Sequence, residues 1–465
     1  MLIVFALCGA YAVYCLVTNP AGPITTPDSF HYLNMTPIVP LGYPFFLQLS
    51  GARGAIIAQP ILFSAALAFL GREIIRTTRS TVLAVAVIAA TIVVPQIREY
   101  HASVLSESLF LTLLVAFLAL VVRFTHFPSW RLMVFVAITV GMAATVRRTA
   151  FAFVPVMVVM VLLQRRHLRG AQAPLFFVAA LAPFAAIAAT EQVMAPIIHA
   201  GAPSSLLGRH LFAKAGLIEA PPAPPSADPV RRALDDQLDH AFAPIRAMLA
   251  KAPHHVRGVL TIYYETCLQG GCADEARAAT KATSEADQTE IMGAAGSARI
   301  RRAPLAFLNL TWLHYGSLWT INRLRHPDTA RDLNAFLAAH RPLPYEELAL
   351  ALGPGRTLEF TGSEYVRYAQ YAISCVAIIT GLLAAAALIA SIALPRMSPA
   401  AAIACVSALT AHGALILTAL LAAGFTRFLL GVWPAIVTAL AFAVFATAQR
   451  YWAGPGATRT SESSR

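Results

Sequence analysis

The stretch TPDSFHYLNMTPIVPLGYPFF, residues 26–46, holds the first carboxylate of the chain, Asp28, three residues before His31. Residues three apart share one face of a helical turn, so the two side chains would be neighbours. A carboxylate beside a low-dielectric surface can have its proton affinity tuned, which suits a general base or a ligand of a divalent metal. The structural alternative is that Asp28 only caps the short helix that follows it.

Aromatic residues in the same stretch indicate a boundary between membrane and water. Tyr32 and Tyr43 are typical of aromatic belts at headgroup level, and the PLGYP turn predicts a loop that returns to the membrane as a short interfacial helix. With Asp28 beside them in the chain, His31, Tyr32 and Tyr43 are also candidate substrate-binding residues.

A second polar stretch, PQIREYHASVLSESLF at 95–110, adds two candidate catalytic acids, Glu99 and Glu107, and a candidate substrate-binding residue, His101. Glu107 falls at the start of an apolar block, where a carboxylate is costly unless it is paired or faces a polar cavity. The alternative is that Ser106 caps a helix and Glu107 complements the dipole of its first turn.

Three arginines lie on the same side of the predicted membrane as these acids. Arg147 and Arg148 stand in TVRRTAF, and Arg427 stands in GFTRFLLGVWP. Arginines outside the cytoplasm run against the usual charge bias, and binding a phosphate is one reason for them. Snorkelling to lipid headgroups, or ion pairs with Glu99 or Glu107, are the alternatives.

The elements that would position these residues are apolar helices. Of 465 residues, 58% are hydrophobic and 12% are charged, whereas soluble domains carry about a quarter charged residues. Continuous blocks near 20 residues match a hydrocarbon core of about 30 Å and favour helices over a barrel. The sequence predicts an all-α polytopic membrane protein with about ten transmembrane helices, at 2–18, 55–71, 81–95, 104–123, 132–146, 150–164, 173–193, 366–394, 399–423 and 428–448.

Basic residues set the predicted orientation. They concentrate in short loops that fall on one side if the helices alternate, which assigns that side to the cytoplasm. The net charge of +12 therefore reflects topology and anionic lipid, and no nucleic-acid module is visible. We expect a transmembrane module with catalytic outward loops at 1–193, a mainly helical extracytoplasmic domain at 194–365, transmembrane helices at 366–448 and a disordered cytoplasmic tail at 449–465.

Two cysteines lie in the polar region, Cys267 and Cys272 in CLQGGC. We predict a disulfide between them if that region faces an oxidising compartment, with free thiols as the alternative. No second Cys or His pair lies at zinc-like spacing, so we predict no metal site from these residues.

The order and spacing of five segments carry a resemblance. PDSFHYL, LGYPFFLQL, SESLFLTLLVAFLALVV, GMAATVRRTAFAFVPVMV and TRFLLGVWPAIVTAL, over roughly 20–165 and 420–445, resemble the GT-C superfamily of polytopic glycosyltransferases. The similarity is to the bacterial branch related to aminoarabinose and protein-mannosyl transferases. It implies transfer of a sugar from a polyprenyl-phosphate donor to a lipid, glycan or protein acceptor. It also implies a bacterial inner membrane with the active site facing the periplasm or the exterior.

The resemblance also implies roles for particular residues. Asp28 matches the general base or metal-associated acid, Glu99 or Glu107 matches an acid of the second outward loop, and Arg147, Arg148 and Arg427 match residues that hold the donor phosphate. Ser29 stands where many relatives have a second acid, so dependence on a divalent metal stays open and no other cofactor is expected. TRFLLGVWP replaces a more usual Arg-Tyr, which makes Arg427 the weakest of these matches.

Two other classes of function compete with an enzyme. A transporter or flippase of lipid-linked saccharides would show inverted repeats and polar residues near the membrane midplane. We find no repeat, and the polar residues cluster at the outer ends of the apolar blocks. A non-catalytic assembly subunit would bind a partner through 194–365 and would tolerate loss of Asp28.

Overall fold

A computed structural model describes residues 1–165, 172–199, 207–224, 228–270, 285–339, 359–393, 397–422, 424–425 and 427–452, with the backbone alone at 266–270, 285–286 and 452. Within these ranges the regular elements are helices, and the one β-type pairing is an isolated bridge between Ile24 and Ser103. The predicted all-α fold is confirmed. The predicted disulfide lies outside the described side chains and stays a prediction.

The chain divides into two compact units. The first comprises Met1–Met194, Ile378–Ala414 and Leu430–Arg465, and the second comprises Ala195–Ala377 and Leu415–Leu429. Helices of the first part of the chain are α1 Leu2–Thr18, α2 Pro27–Leu33, α3 Gly42–Thr78, α4 Thr81–Ile92, α5 Pro95–Ala102, α6 Ser106–His126, α7 Trp130–Val146, α8 Phe153–Gln164 and α9 Ala173–Ile198, with a 3-10 turn at Arg148–Ala152.

The later part of the chain continues the helical pattern. It contains α10 Leu207–Leu217, α11 Pro229–Lys251, α12 His254–Gly270, α13 Glu285–Arg302, α14 Pro304–Leu318, α15 Pro327–Ala339, α16 Glu364–Ala393, α17 Pro399–Leu421, α18 Arg427–Gly431 and α19 Trp433–Trp452. Helix α19 runs to Trp452, and residues 453–465 of the predicted tail lie outside the described part of the chain, so the tail stays a prediction.

Five of these helices, α3, α6, α9, α16 and α17, are long and apolar enough to cross a membrane. A sixth crossing would form if α4 and α5, which meet at 64°, count as one bent span. Three further apolar helices have only 10–17 residues, and 17 residues extend roughly 26 Å, short of a core of about 30 Å. The apolar helices of the described ranges are compatible with a multi-pass membrane protein, and the count of ten spans stays a prediction.

Helix boundaries follow local chemistry where the sequence supplies it. The side chain of Ser80 accepts a hydrogen bond from the amide of Leu83 and caps α4. The side chain of Ser129 accepts one from the amide of Leu132 and caps α7. The apolar block predicted at 55–71 is too short at its C-terminal end, because α3, which comprises Gly42–Thr78, continues to Thr78. The helix is interrupted at Gly51, whose φ of 68° is open to glycine at little cost. A short segment bearing the aromatic PLGYPFF residues thus precedes the main span, as predicted for an interfacial helix.

The second unit has its own apolar core, formed between α10, α11, α12, α13, α14 and α15. A fully buried arginine, Arg299, ties α13 to α11 through Asp235 at 3.0 Å and Asp239 at 2.5 Å. A buried guanidinium needs this degree of pairing, because an unpaired charge would carry a large desolvation penalty. The region predicted as a soluble domain therefore contains a core of its own, while its extracytoplasmic location stays a prediction.

Candidate functional site

Helix α2 carries Asp28 and begins at a defined cap. Thr26 is the N-cap, and its backbone amide donates to Oγ of Ser29 at 2.8 Å in a capping box. Asp28 lies in the first turn, half-buried, where the helix dipole favours a carboxylate. The alternative that Asp28 itself caps the helix is therefore wrong, because Thr26 takes that position.

The loop that holds α2 is bound to the connection between α5 and α6. Ile24 donates its amide to the carbonyl of Ala102 and accepts from the amide of Val104, both at 2.9 Å. The hydroxyl of Ser29, which the first helical turn buries, donates to the carbonyl of Val104 at 2.9 Å. Two polar stretches about 75 residues apart in sequence are joined through their backbones.

Tyr32 lies within the influence of charges from three parts of the chain. Its hydroxyl lies 2.9 Å from Oγ of Ser106 at the start of α6. Burial raises the pKa of Tyr32, the nearby carboxylates of Glu107 and Asp28 raise it further, and the Arg147 guanidinium and the Ser106 hydrogen bond oppose them. The charges of Asp28, Glu107 and Arg147, which come from three separate parts of the chain, therefore all affect the pKa of this tyrosine.

Glu107 and Arg147 form a buried ion pair. Oε1 of Glu107 lies 2.8 Å from Nη1 of Arg147, with side chains 4% and 15% exposed. Glu107 occupies the first turn of α6 and Arg147 ends α7, so the pair joins the two helices. The structure therefore shows the ion-pair alternative for Arg147. Ser106 is the first residue of α6 and not its cap, which is Leu105.

Arg148 is held by an acid that sequence reasoning missed. Its Nη1 lies 3.1 Å from Oε2 of Glu191 on α9, and the other oxygen of Glu191 accepts the amide of Leu41 at 3.2 Å. The available signal was a lone carboxylate inside an apolar helix, in AATEQVMAPII. Arg148 remains 33% exposed, so a ligand can reach this guanidinium.

Gln59 was also missed, and it fixes Tyr43. The Tyr43 hydroxyl donates to Oε1 of Gln59 at 3.2 Å, and Nε2 of Gln59 donates to the carbonyls of His101 and Ser103 at 3.0 and 3.2 Å. Tyr43 in turn packs edge-on against Tyr32 at 5.0 Å between ring centroids. The signal for Gln59 was an amide within the predicted apolar block 55–71.

Three predicted site residues have other surroundings. His101 is fully buried, with Nδ1 2.7 Å from Oγ of Ser108 and its ring 4.8 Å from that of Phe63, so it serves packing and presents no surface to a ligand. Glu99 is exposed on α5. His31 lies on α2 with Asp28, and its Nδ1 is 3.1 Å from Oγ1 of Thr36.

The remaining predicted arginine, Arg427, belongs to the second unit. It is exposed at the start of α18, with its guanidinium 5.9 and 5.3 Å from the ring centroids of Phe425 and Phe428. Its role in binding a donor phosphate stays a prediction. Among the described residues, no group of three or more His, Cys, Asp or Glu side chains is arranged to hold a metal ion.

Gly42, in the PLGYP turn, allows the backbone to approach Thr145 closely. A Cβ on Gly42 would lie 2.5 Å from Oγ1 and 2.8 Å from the carbonyl oxygen of Thr145, two residues before Arg147. We expect Gly42→Ala to push the turn away from the end of α7 and to lower the thermal midpoint of the purified protein. Gly22→Ala is the control, since nothing lies within 4 Å of that position. Equal midpoints for the two variants would contradict the prediction.

A second polar cluster, the Lys214 cluster, lies in the second unit and comprises Lys214, Glu265 and His314. All three side chains are fully buried. Nζ of Lys214 donates to the carbonyl of Ala419 at 2.6 Å and lies 2.9 Å from Nδ1 of His314, which is 3.4 Å from Oε2 of Glu265. Sequence reasoning missed it, although Lys214 and His314 each stand alone among apolar neighbours.

The Lys214 cluster has shifted proton affinities with identifiable causes. Burial, together with the Lys214 charge, lowers the pKa of His314 to about 3. Burial lowers the pKa of Lys214, and the Glu265 carboxylate opposes that effect. Burial alone would raise the pKa of Glu265, but the Lys214 ammonium and the neighbouring imidazoles hold it below its usual range. A neutral imidazole beside an acid and an amine is therefore built into this core.

His314 predicts a pH dependence of stability. Its folded pKa of about 3 lies below its ordinary value of 6.5, so the unfolded chain takes up a proton that the folded protein excludes. Stability therefore falls as pH drops from 6.5 to 5, by at most about 1.4 kcal/mol per pH unit. Hydrogen exchange of α10, α12 and α14 measures this, after correction for intrinsic rates. His314→Asn should flatten the slope and exposed His240→Asn should not; equal slopes in all three proteins would refute the assignment.

Comparison of the chain with known protein families, with curated proteins and with solved structures finds no match in any of the three.

Proposed function

We propose that this protein is a multi-pass membrane glycosyltransferase that moves a sugar from a polyprenyl-phosphate donor to a lipid, glycan or protein acceptor. The observation that supports it best is the position of Tyr32. Its hydroxyl contacts Ser106 at the start of α6, and the charges of Asp28 and of the Glu107–Arg147 pair both act on it. Asp28 is a half-buried carboxylate in the same electrostatic surroundings as a buried ion pair, which supports its assignment as the general base.

In the proposed reaction Asp28 accepts the proton of an acceptor hydroxyl. The freed oxygen attacks the anomeric carbon of the sugar, the bond from that carbon to the donor phosphate oxygen breaks, and polyprenyl phosphate leaves. Arg148, being one-third exposed, is the arginine best placed to stabilise the departing phosphate. Arg147 is committed to Glu107, and we assign this pair a positioning role. Arg427 belongs to the second unit and is given no role in this step.

The proposal includes a location. The active site would face the periplasm or exterior of a bacterial inner membrane, and residues 194–365 would be extracytoplasmic. The apolar helices support a multi-pass protein, and the basic short loops support this orientation.

Donor turnover tests the function directly. The full chain, purified in detergent, is incubated with a radiolabelled polyprenyl-phosphate sugar and either lipid or glycan acceptors, and the release of polyprenyl phosphate is followed. The proposal predicts acceptor-dependent release above a protein-free blank. A panel of donors and acceptors that yields no turnover with folded protein would count against it.

One observation favours the transporter alternative. Glu73 is fully buried within α3, and neither of its carboxyl oxygens has a hydrogen-bond partner among the described residues. Acids inside membrane spans often mark ion or proton pathways. In proteoliposomes a flippase would move a lipid-linked saccharide between leaflets and would lose that activity in Glu73→Gln. The transferase instead predicts no such movement and unchanged sugar transfer in this variant.

A further inference from the structure

The second unit contains a cavity of about 460 Å³ that the proposed transfer reaction does not use. The cavity lies between α10, α11, α12 and α14. Its volume falls in the range of small-molecule sites, about 300–1,000 Å³. Much of its lining is apolar, from Leu217, Leu249, Leu310, Leu313 and Trp312. The polar part includes Arg246, Arg257, His254 and Glu219. The cavity therefore offers an apolar wall and a basic one.

Arg257 is fixed in place by backbone carbonyls. Its Nε donates to the carbonyl of Leu249 at 2.9 Å, and its Nη2 donates to those of Ala250 and Ala252 at 3.1 and 3.4 Å. These three carbonyls belong to the C-terminal end of α11 and to its C-cap, Ala252. Within the described ranges, Nη1 has no protein partner and no carboxylate lies within 4 Å of the guanidinium. Among the residues that the structure describes, this guanidinium is a fixed cation with no acid paired to it.

The second arginine of the cavity is already balanced. Nη2 of Arg246 lies 2.7 Å from Oδ1 of Asp239, and its Nη1 donates to the carbonyl of Gly216 at 2.6 Å. Glu219, the acid on the cavity wall, is exposed and acts on Arg246. A negatively charged ligand is therefore drawn to Arg257 and not to Arg246.

The apolar wall continues onto the outside of the unit. Trp312 borders the cavity and is 70% exposed, while Leu305 and Leu308 of the same helix are 74% and 54% exposed. Their spacing places these three side chains along one face of α14. Trp312 therefore connects the apolar part of the cavity with an exposed apolar face of α14, against which an alkyl chain can lie.

We propose that this cavity binds an amphipathic anion, with a phosphate or carboxylate headgroup on Arg257 and a single alkyl chain against Leu249 and Leu310. The planar fork of a guanidinium matches the geometry of either headgroup. Leu249 and Leu310 are buried and give the chain an apolar contact. The site is distinct from the residues around Asp28, and binding there does not depend on sugar transfer.

Binding of octyl phosphate tests the site. The full chain is held in a non-ionic amphipol and titrated in a calorimeter, with empty amphipol as the blank. We expect saturable binding that Arg257→Gln weakens at least tenfold, as the loss of a charge-assisted hydrogen bond implies. Arg257→Lys keeps the charge and should weaken binding less than Arg257→Gln does. Arg231→Gln, an exposed arginine of α11 outside the cavity, should bind as the wild type does.

Two other probes decide which part of the ligand matters. Inorganic phosphate lacks the alkyl chain and octanol lacks the charge, so each should bind at least tenfold more weakly than octyl phosphate. Phosphate binding as tight as octyl phosphate would replace the proposal with a site for the free ion, and equal binding of octanol would remove the role of Arg257.

A further variant separates ligand binding from folding. Ala250 is exposed at the cavity wall, so Ala250→Trp fills the cavity and leaves Arg257 in place. Loss of octyl phosphate binding in Ala250→Trp, with hydrogen exchange of α11 and α12 unchanged, supports the site even if Arg257→Gln fails to fold. Unchanged affinity in Ala250→Trp would overturn it.

Discussion

Replacing Asp28 with Asn should lower sugar transfer by about 10²- to 10⁴-fold, the usual contribution of a general base. The amide has the size and shape of the carboxylate but cannot accept the proton of the acceptor hydroxyl. Because Asp28 is half-buried in the first turn of α2 and Thr26 caps that helix, the thermal midpoint should change little. The measurement is release of polyprenyl phosphate by the detergent-purified variant at saturating donor.

Two comparisons sharpen the Asp28 experiment. Asp28→Glu keeps a carboxylate on a longer stem and should retain more activity than Asp28→Asn if proton transfer is the role. Asp236→Asn, an exposed acid of α11, is the matched control and should behave as the wild type. Full transfer by Asp28→Asn would remove Asp28 as the base, while an equal loss in Asp236→Asn would indicate a general effect of charge.

Breaking the Glu107–Arg147 pair should produce the largest loss of stability. With side chains 4% and 15% exposed at 2.8 Å, removing either partner leaves a buried charge without its counter-ion, at a cost of about 3–5 kcal/mol. We therefore expect Arg147→Gln and Glu107→Gln each to lower the free energy of unfolding by that amount. Since the pair joins the start of α6 to the end of α7, hydrogen exchange should increase first at those helix ends.

A double-mutant cycle separates the ion pair from other effects of substitution. The double variant Glu107→Gln with Arg147→Gln should lose less than the sum of the single losses, because neither charge is left alone. Arg331→Gln provides the control, since its guanidinium is 70% exposed and 2.8 Å from Asp332. An exposed pair contributes about 0.2–1 kcal/mol. Additive losses in the cycle would mean that the pair is not the source of the effect.

Much of the helical architecture was predictable from the apolar blocks. The blocks at 104–123 and 132–146 match α6 and α7 to within a few residues, since polar residues bound each run. The block at 55–71 underestimates α3 at its C-terminal end, because the helix continues beyond the apolar stretch to Thr78. A break such as Gly51 depends on how the segment before it packs, and composition alone does not carry that information.

The candidate site was predictable only in part. Asp28, Glu107 and Arg147 stood out because charged residues beside apolar blocks require partners, and the charges of all three act on Tyr32. Glu191 did not stand out, because its contact with the amide of Leu41 spans 150 residues of sequence. His101 appeared equivalent to its neighbours in the sequence, yet the turn of α5 directs it into the core. The face that a residue presents depends on tertiary packing.

The second unit is discontinuous in sequence, and this limits how it can be produced. The carbonyl of Ala419 accepts a hydrogen bond from the Lys214 ammonium, and the carbonyl of Gly424 accepts one from Nη2 of Arg323 at 3.1 Å. A fragment cut at 194–365 would contain both basic side chains without either acceptor carbonyl, and the loss of these hydrogen bonds would oppose folding. Recombinant work on this region therefore calls for the intact chain, or for a redesigned connectivity in which a linker supplies residues 415–429.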